Sequence, residues 1–331
     1  MPPLFRSDAF KVTAYFVAVI LLGALLAPQL HAAAQWALDR GVFDSGPLAS
    51  VKDSVERAKI TRFFNRAVMI SALLLAWPFI KWIGLKRGGN WLLLRKNPLR
   101  FGHFGLGFGI AAGTLLLLGA VYVGIGWYRM NDEAKPLYRM ILSSIGPALS
   151  VAFLEEFLFR GVLLALILRT LRPFPALLFL SSFFAVVHFL KPPEHLDLPP
   201  IQWDTGFWLL TKIFGQLGNV DFLLAELVLL FCVGWVLGWA RLKTASLWLP
   251  IGLHSGWVFG VKLFSAATRK VAAIDDMLPF AGPHLRVGFN SVIVVCLCGV
   301  ILWVLLRKRY PQSAFAPFSE SNPMADKKPA S

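Results

Sequence analysis

Residues 153–161 read Phe153-Leu154-Glu155-Glu156-Phe157-Leu158-Phe159-Arg160-Gly161. Three charges stand inside an otherwise apolar run. What surrounds them decides the fold. The chain has 331 residues, 57% hydrophobic and only 15% charged, with a mean hydropathy of +0.64. A soluble domain carries about 25% charged residues. Here the apolar residues gather into runs of roughly 18 or more, the length needed to cross a bilayer as a helix. The expected fold class is therefore all-α, a polytopic transmembrane helical bundle of about eight spans. These lie near 10–28, 67–85, 103–127, 138–168, 174–190, 207–240 (broken near Gly218-Asn219), 245–264 and 288–306.

The remaining segments divide the chain further. Residues 1–136 read as N-terminal membrane helices with an amphipathic surface segment at 45–66. Residues 137–265 form a core around the charged run, 266–309 a last loop and span, and 310–331 a Pro/Ser-rich disordered tail. Residues 12–28 lack a small-residue cleavage site after them and read as a span, not a secretory signal. The net charge of +15 comes from Lys and Arg in short loops: 81–100, Arg169 and Arg172, Arg241 and Lys243, Arg307 to Arg309. Such clusters mark the cytoplasmic side, and together they place both termini there. No zinc-finger spacing or RNA-binding signature accompanies the charge, so nucleic acid is not expected as a partner. The expected partners are membrane lipids and a membrane-associated substrate. Cys232, Cys296 and Cys298 lie in apolar runs and read as small buried hydrophobes. The glycine series Gly105, Gly109, Gly113 and the pair Gly234, Gly238 read as close packing between helices.

A charge near the bilayer centre costs about 2.5–3.5 kcal/mol on insertion scales. Two successive carboxylates must therefore be compensated or used. Glu156 and Arg160, four residues apart, share a helix face and can pair. Glu155 points about 100° away, off the face on which that pair forms. A buried carboxylate of that kind suits a general acid or base. Two further polar residues lie inside spans, His188 in FFAVVHFL and His254 in LPIGLHSGWVF. Counted at about 1.5 Å per residue from the basic ends of their spans, Glu155, His188 and His254 reach a similar depth. His31, His103, His195 and His284 fall at span ends or loops and are expected on the surface. Glu226 is expected at a membrane interface.

Glu155-Glu156-x-x-x-Arg160, then Phe184-x-x-x-His188, then His254 on a later span resemble the motif series of the CPBP family. These are the CAAX-prenyl-protease and bacteriocin-processing, Abi or Rce1-like, intramembrane proteases. The resemblance covers about residues 140–265. It implies a peptidase that hydrolyses a peptide bond of a membrane-associated protein or peptide. It also implies Glu155 as base, His188 orienting the water or polarising the carbonyl, His254 stabilising the oxyanion, and Glu156 with Arg160 tuning Glu155. The family's third motif continues from His to an Asn or Asp four residues on, and this chain has Val258 there. Ser255 cannot substitute, since it points about 100° from His254.

Two versions of the chemistry remain open: a metal-free glutamate mechanism, the preferred one, and a zinc site built from Glu155, His188 and His254. A proton-coupled transporter is a further reading, weakened by the absence of matched internal repeats. A silent scaffold or immunity-type protein is another, kept alive by Val258. Basic-loop topology without organelle signals points to a bacterial inner membrane.

Overall fold

A computed structural model describes residues 8–45, 52–84, 92, 94–189, 196–215, 220–271, 277, 279–282 and 284–307. The expected tail at 310–331, His195 and the break at Gly218-Asn219 lie outside the described residues. Contacts divide the chain into two compact units, residues 1–87 with 189–218, and residues 88–188 with 219–331.

The first unit contains helices α1 (Asp8–Asp39), α2 (Lys52–Glu56), α3 (Ile60–Ile83) and α8 (Thr205–Gly215). α1 packs along α3 and against α8, around a core that includes Ala24, Ile60, Phe64, Ala67 and Leu209. α3 begins at Ile60, so the end of the 45–66 segment forms the first turns of a long helix, with Ile60 and Phe64 buried and Arg62, Asn65 and Arg66 exposed. His31 meets the edge of Phe63, with ring centroids 5.1 Å apart, and is half-buried.

The second unit holds α4 (Arg100–Gly124), α5 (Leu137–Glu156), a π-helical turn (Phe157–Leu163), α6 (Leu164–Ile167) and α7 (Pro173–Phe189). It also holds α9 (Val220–Thr244), α10 (Trp248–Ala267) and α11 (Phe289–Arg307). One short antiparallel pair, β1 (Tyr128–Met130) with β2 (Thr268–Lys270), joins the segments that follow α4 and α10. The remaining regular structure among the described residues is helical. α1, α3, α4, the Glu226–Thr244 part of α9, and α11 are long and apolar enough to cross a membrane, and α7 is a shorter apolar helix.

α10, which carries His254, packs most extensively against α4 and also against α5. Small residues make this possible. A Cβ on Gly252 would run into the Phe104 backbone, and one on Gly256 would lie 2.6 Å from the Phe108 carbonyl oxygen. From the α4 side, a Cβ on Gly107 would lie 2.8 Å from the Leu249 carbonyl oxygen. The two backbones are thus in direct contact, as small-residue stripes allow between membrane helices.

This corrects the expectation for Gly105, Gly109 and Gly113, beside which nothing lies within 4 Å. The buried face of α4 runs through His103, Gly107, Ala111 and Leu115, which puts the expected glycines on the far side of the helix. Gly234 and Gly238 do pack closely, against Ser181 and Leu177 of α7.

His103 is also not a surface residue, being only 3% exposed. Asn97 Nδ2 donates to its Nδ1 at 2.9 Å and to Ser246 Oγ at 3.0 Å. That contact straps the segment before α4 to the turn before α10, a turn in which Ala245 takes a left-handed φ of 49°. His284 is exposed as expected. Glu226 lies 3.9 Å from Arg286 in the segment before α11. Cys298 is buried and Cys232 half-buried, but Cys296 is exposed.

Candidate active site

The five polar residues singled out in the sequence come from three helical stretches of the second unit, and the fold brings them together. Glu155 and Glu156 end α5. Directly after them the helix widens, and Leu164 N–H reaches back five residues to the Phe159 carbonyl. Such π-turns recur at functional sites because the extra residue re-aims the side chains around it. A plain α-helical reading of 138–168 misses this turn, and nothing in Phe157-Leu158-Phe159-Arg160 announces it.

The Glu156–Arg160 pair forms as the spacing predicts. Arg160 Nη1 donates to Glu156 Oε1 at 2.8 Å, and both side chains are 0% exposed. Arg160 has two further supports. Its Nη2 donates to the Gly234 carbonyl of α9 at 3.3 Å, and its guanidinium carbon stands 4.4 Å from the centroid of the Phe184 ring. A cation over a desolvated aromatic face gains about 2 kcal/mol. The Phe184 ring also lies 4.1 Å, centroid to centroid, from the His188 imidazole. Phe184 therefore joins the arginine to the histidine one turn further along α7. Sequence spacing flagged this phenylalanine as half of a motif, but only the packing shows what its ring touches.

Both histidines have one nitrogen committed. His188 Nδ1 lies 2.8 Å from the Phe184 carbonyl oxygen. A carbonyl can only accept, so Nδ1 carries the proton and Nε2 is the free nitrogen. His254 Nδ1 lies 2.7 Å from Glu156 Oε1. A carboxylate that already accepts from Arg160 makes that nitrogen a donor too. The two remaining Nε2 atoms converge on Glu155 Oε2, at 3.3 Å from His188 and 3.9 Å from His254. Three groups that in their commonest forms are all acceptors thus face one another. They need mobile protons between them, supplied by a bound molecule or by protonation of one member.

Exposure separates the two carboxylates. The Glu155 side chain is 31% exposed and that of Glu156 is sealed. His188 and His254 side chains are 18% and 9% exposed. The open edge of the cluster is therefore Glu155 with His188, and the buried edge is Glu156 with Arg160.

Two neighbours of His254 do not join the cluster. Ser255 Oγ donates to the Ile251 carbonyl at 2.6 Å and is fully buried. Val258 is half-buried and packs against an apolar cluster of Ala112, Ala148 and Phe259, so the position where the motif has an amide or acid here faces apolar side chains.

A zinc site would set the separations between its ligands. Two ligands on a tetrahedral zinc at about 2.0–2.1 Å stand roughly 3.4 Å apart. The Glu155–His188 separation of 3.3 Å meets this, but the Glu155–His254 separation of 3.9 Å exceeds it. Among the described residues no group of three His, Cys, Asp or Glu side chains is arranged to hold a metal ion.

A family model for the Type II CAAX prenyl endopeptidase Rce1-like family matches residues 137–260. The match begins at the first residue of α5 and takes in Glu155, Glu156, Arg160, His188 and His254. No curated protein and no solved structure matches the chain. With five helices long and apolar enough to cross a membrane the chain is an integral membrane protein, and over residues 137–260 it is similar to the Type II CAAX prenyl endopeptidase Rce1-like family, a family of peptidases.

Proposed function

We propose that this protein is an intramembrane endopeptidase that hydrolyses a peptide bond of a membrane-associated protein or peptide with a water activated by Glu155. The observation that carries the reading is the convergence of His188 Nε2 and His254 Nε2 on Glu155 Oε2, with both Nδ1 atoms already committed. A water held there gives one proton to Glu155 and directs its other proton at the lone pair of His188 Nε2, which fixes its orientation. Its oxygen adds to the scissile carbonyl carbon. With its Nδ1–H held by Glu156, a protonated His254 also carries an Nε2–H, and that N–H stabilises the oxyanion that develops. Glu155, now a carboxylic acid, passes its proton to the amide nitrogen as the C–N bond breaks, and the carboxylate is restored.

Glu156 and Arg160 act at one remove. Glu156 holds the His254 ring in the orientation that aims Nε2 at Glu155. Arg160 balances the charge of Glu156 while anchored to Gly234 and Phe184. None of these steps requires a metal ion, and chelation with 1,10-phenanthroline is expected to change turnover less than about twofold. The basic clusters at 81–100, 169–172, 241–243 and 307–309 support cytoplasmic termini and a bacterial inner membrane as the location.

The test compares cells carrying the wild-type protein with cells carrying Glu155→Gln, surveying the termini of membrane proteins by mass spectrometry. New termini that depend on the wild-type side chain support hydrolysis and name the substrate. Identical surveys from two equally abundant, folded proteins overturn it in favour of a silent scaffold.

A further inference from the structure

Apart from the polar cluster, the second unit carries an open groove of about 500 Å³ between α4, α5 and α10. Its walls are Phe104, Leu149, Phe153 and Ile251, and its lip is formed by Phe101 and Trp248, whose ring centroids stand 6.0 Å apart. The lip lies where α4 and α10 begin, and aromatic pairs at helix ends mark the water–membrane boundary.

The charge at this boundary is one-sided. Arg95, Lys96 and Arg100 fall within one short stretch and are exposed. The Arg100 guanidinium carbon stands 4.8 Å from the centroid of the Phe101 ring, directly over the lip. No acidic residue occurs in the sequence between Glu56 and Asp132. None of the three cations has an acidic partner among the described residues. An apolar groove that opens beneath uncompensated cations complements a molecule with a hydrocarbon chain below and an anionic head above.

We infer that this groove is a binding site for an anionic phospholipid, with one acyl chain between Phe104, Leu149, Phe153 and Ile251 and the phosphate at Arg100. The site is independent of the proposed hydrolysis, since it uses none of the five polar residues. Its inner end lies close to them in sequence, Phe153 just before Glu155 on α5 and Ile251 one turn before His254 on α10. Each cation near a membrane surface strengthens anionic-lipid binding roughly fivefold.

Native mass spectrometry of the full-length protein reads this directly, using phosphatidylglycerol and phosphatidylcholine with matched acyl chains. Wild-type protein is expected to retain phosphatidylglycerol at least about tenfold more tightly. Arg100→Gln should lower that preference roughly fivefold while leaving phosphatidylcholine binding unchanged. Leu149→Trp, which fills the groove, should weaken retention of both lipids. Thermal unfolding verifies that both variants fold. Equal retention of the two lipids by wild type overturns the proposal, as does a preference that survives both variants. Displacement of the lipid by a farnesylated peptide, one for one, also overturns it, because the chain site then belongs to an isoprenoid.

Discussion

Glu155 and Glu156 are neighbours in the chain, yet their side chains end in opposite surroundings. Glu156 is sealed, with Arg160 at 2.8 Å and His254 Nδ1 at 2.7 Å on the same oxygen. Glu155 is nearly one-third exposed and faces the two Nε2 atoms. A buried charge with fixed partners cannot move a proton without leaving those partners uncompensated, and a carboxylate at an open edge can. In the proposed mechanism the difference gives geometry-holding to one carboxylate and chemistry to the other, and each role is open to direct attack.

The largest effect is expected at the open edge. Glu155→Gln keeps size and polarity and removes the base, so the rate of substrate cleavage should fall by about 10²–10⁴-fold. The same variant should unfold within about 0.5 kcal/mol of wild type, because the position is partly exposed. Measured side by side, cleavage and thermal unfolding should separate. Unchanged cleavage would remove Glu155 from the chemistry altogether.

The sealed edge should show the reverse. Arg160→Met leaves Glu156 as a buried charge facing only His254, and breaking a buried pair in this way costs about 3–5 kcal/mol. The double variant Glu156→Gln with Arg160→Met removes both charges and should recover most of that stability. It should not recover cleavage, because a neutral amide at position 156 no longer fixes the proton on His254 Nδ1. Recovery of both quantities together would mean that the pair only holds the helices and has no hand in orienting the imidazole.

How much of this was legible beforehand follows from where each residue's partners lie. Glu156 with Arg160 needed only spacing on one helix, and the embedded histidines announced themselves by the cost of polar groups in lipid. Which nitrogen faces which oxygen was out of reach, because it depends on the Phe184 carbonyl and on the π-turn at Phe157–Leu163. The glycines of α4 show the same limit. Gly105, Gly107, Gly109 and Gly113 offer two faces for close packing, and periodicity favours the one that proves open. Only the partner helix, with Gly252 and Gly256, selects Gly107. The burial of His103 is out of reach of the sequence for a similar reason, since its partner Asn97 is itself bound to Ser246 of a separate turn.

That helix contact supplies a third, smaller test. Gly256→Ala puts a methyl group 2.6 Å from the Phe108 carbonyl oxygen and 2.8 Å from Ala111 Cβ, so α10 must shift away from α4. Overpacking of this kind costs about 1–3 kcal/mol. Because His254 rides on α10, cleavage should fall more than stability predicts. Gly105→Ala, on the open face, should change neither, and the pair of variants measured by thermal unfolding separates the two glycine registers.

The smallest effect concerns Val258. Its half-buried side chain packs against Ala112, Ala148 and Phe259, so restoring the motif with Val258→Asn places an amide against apolar groups. An amide fully buried without partners costs about 1–3 kcal/mol in protein mutational data, and position 258, being half-buried, should show the lower end of that range. The variant should therefore lose about 1 kcal/mol of stability and gain less than about twofold in cleavage. A large gain in rate would show that an amide at position 258 reaches the Glu155–His254 edge after all. The valine would then be a brake on the site instead of part of the packing that holds α10 to α4 and α5.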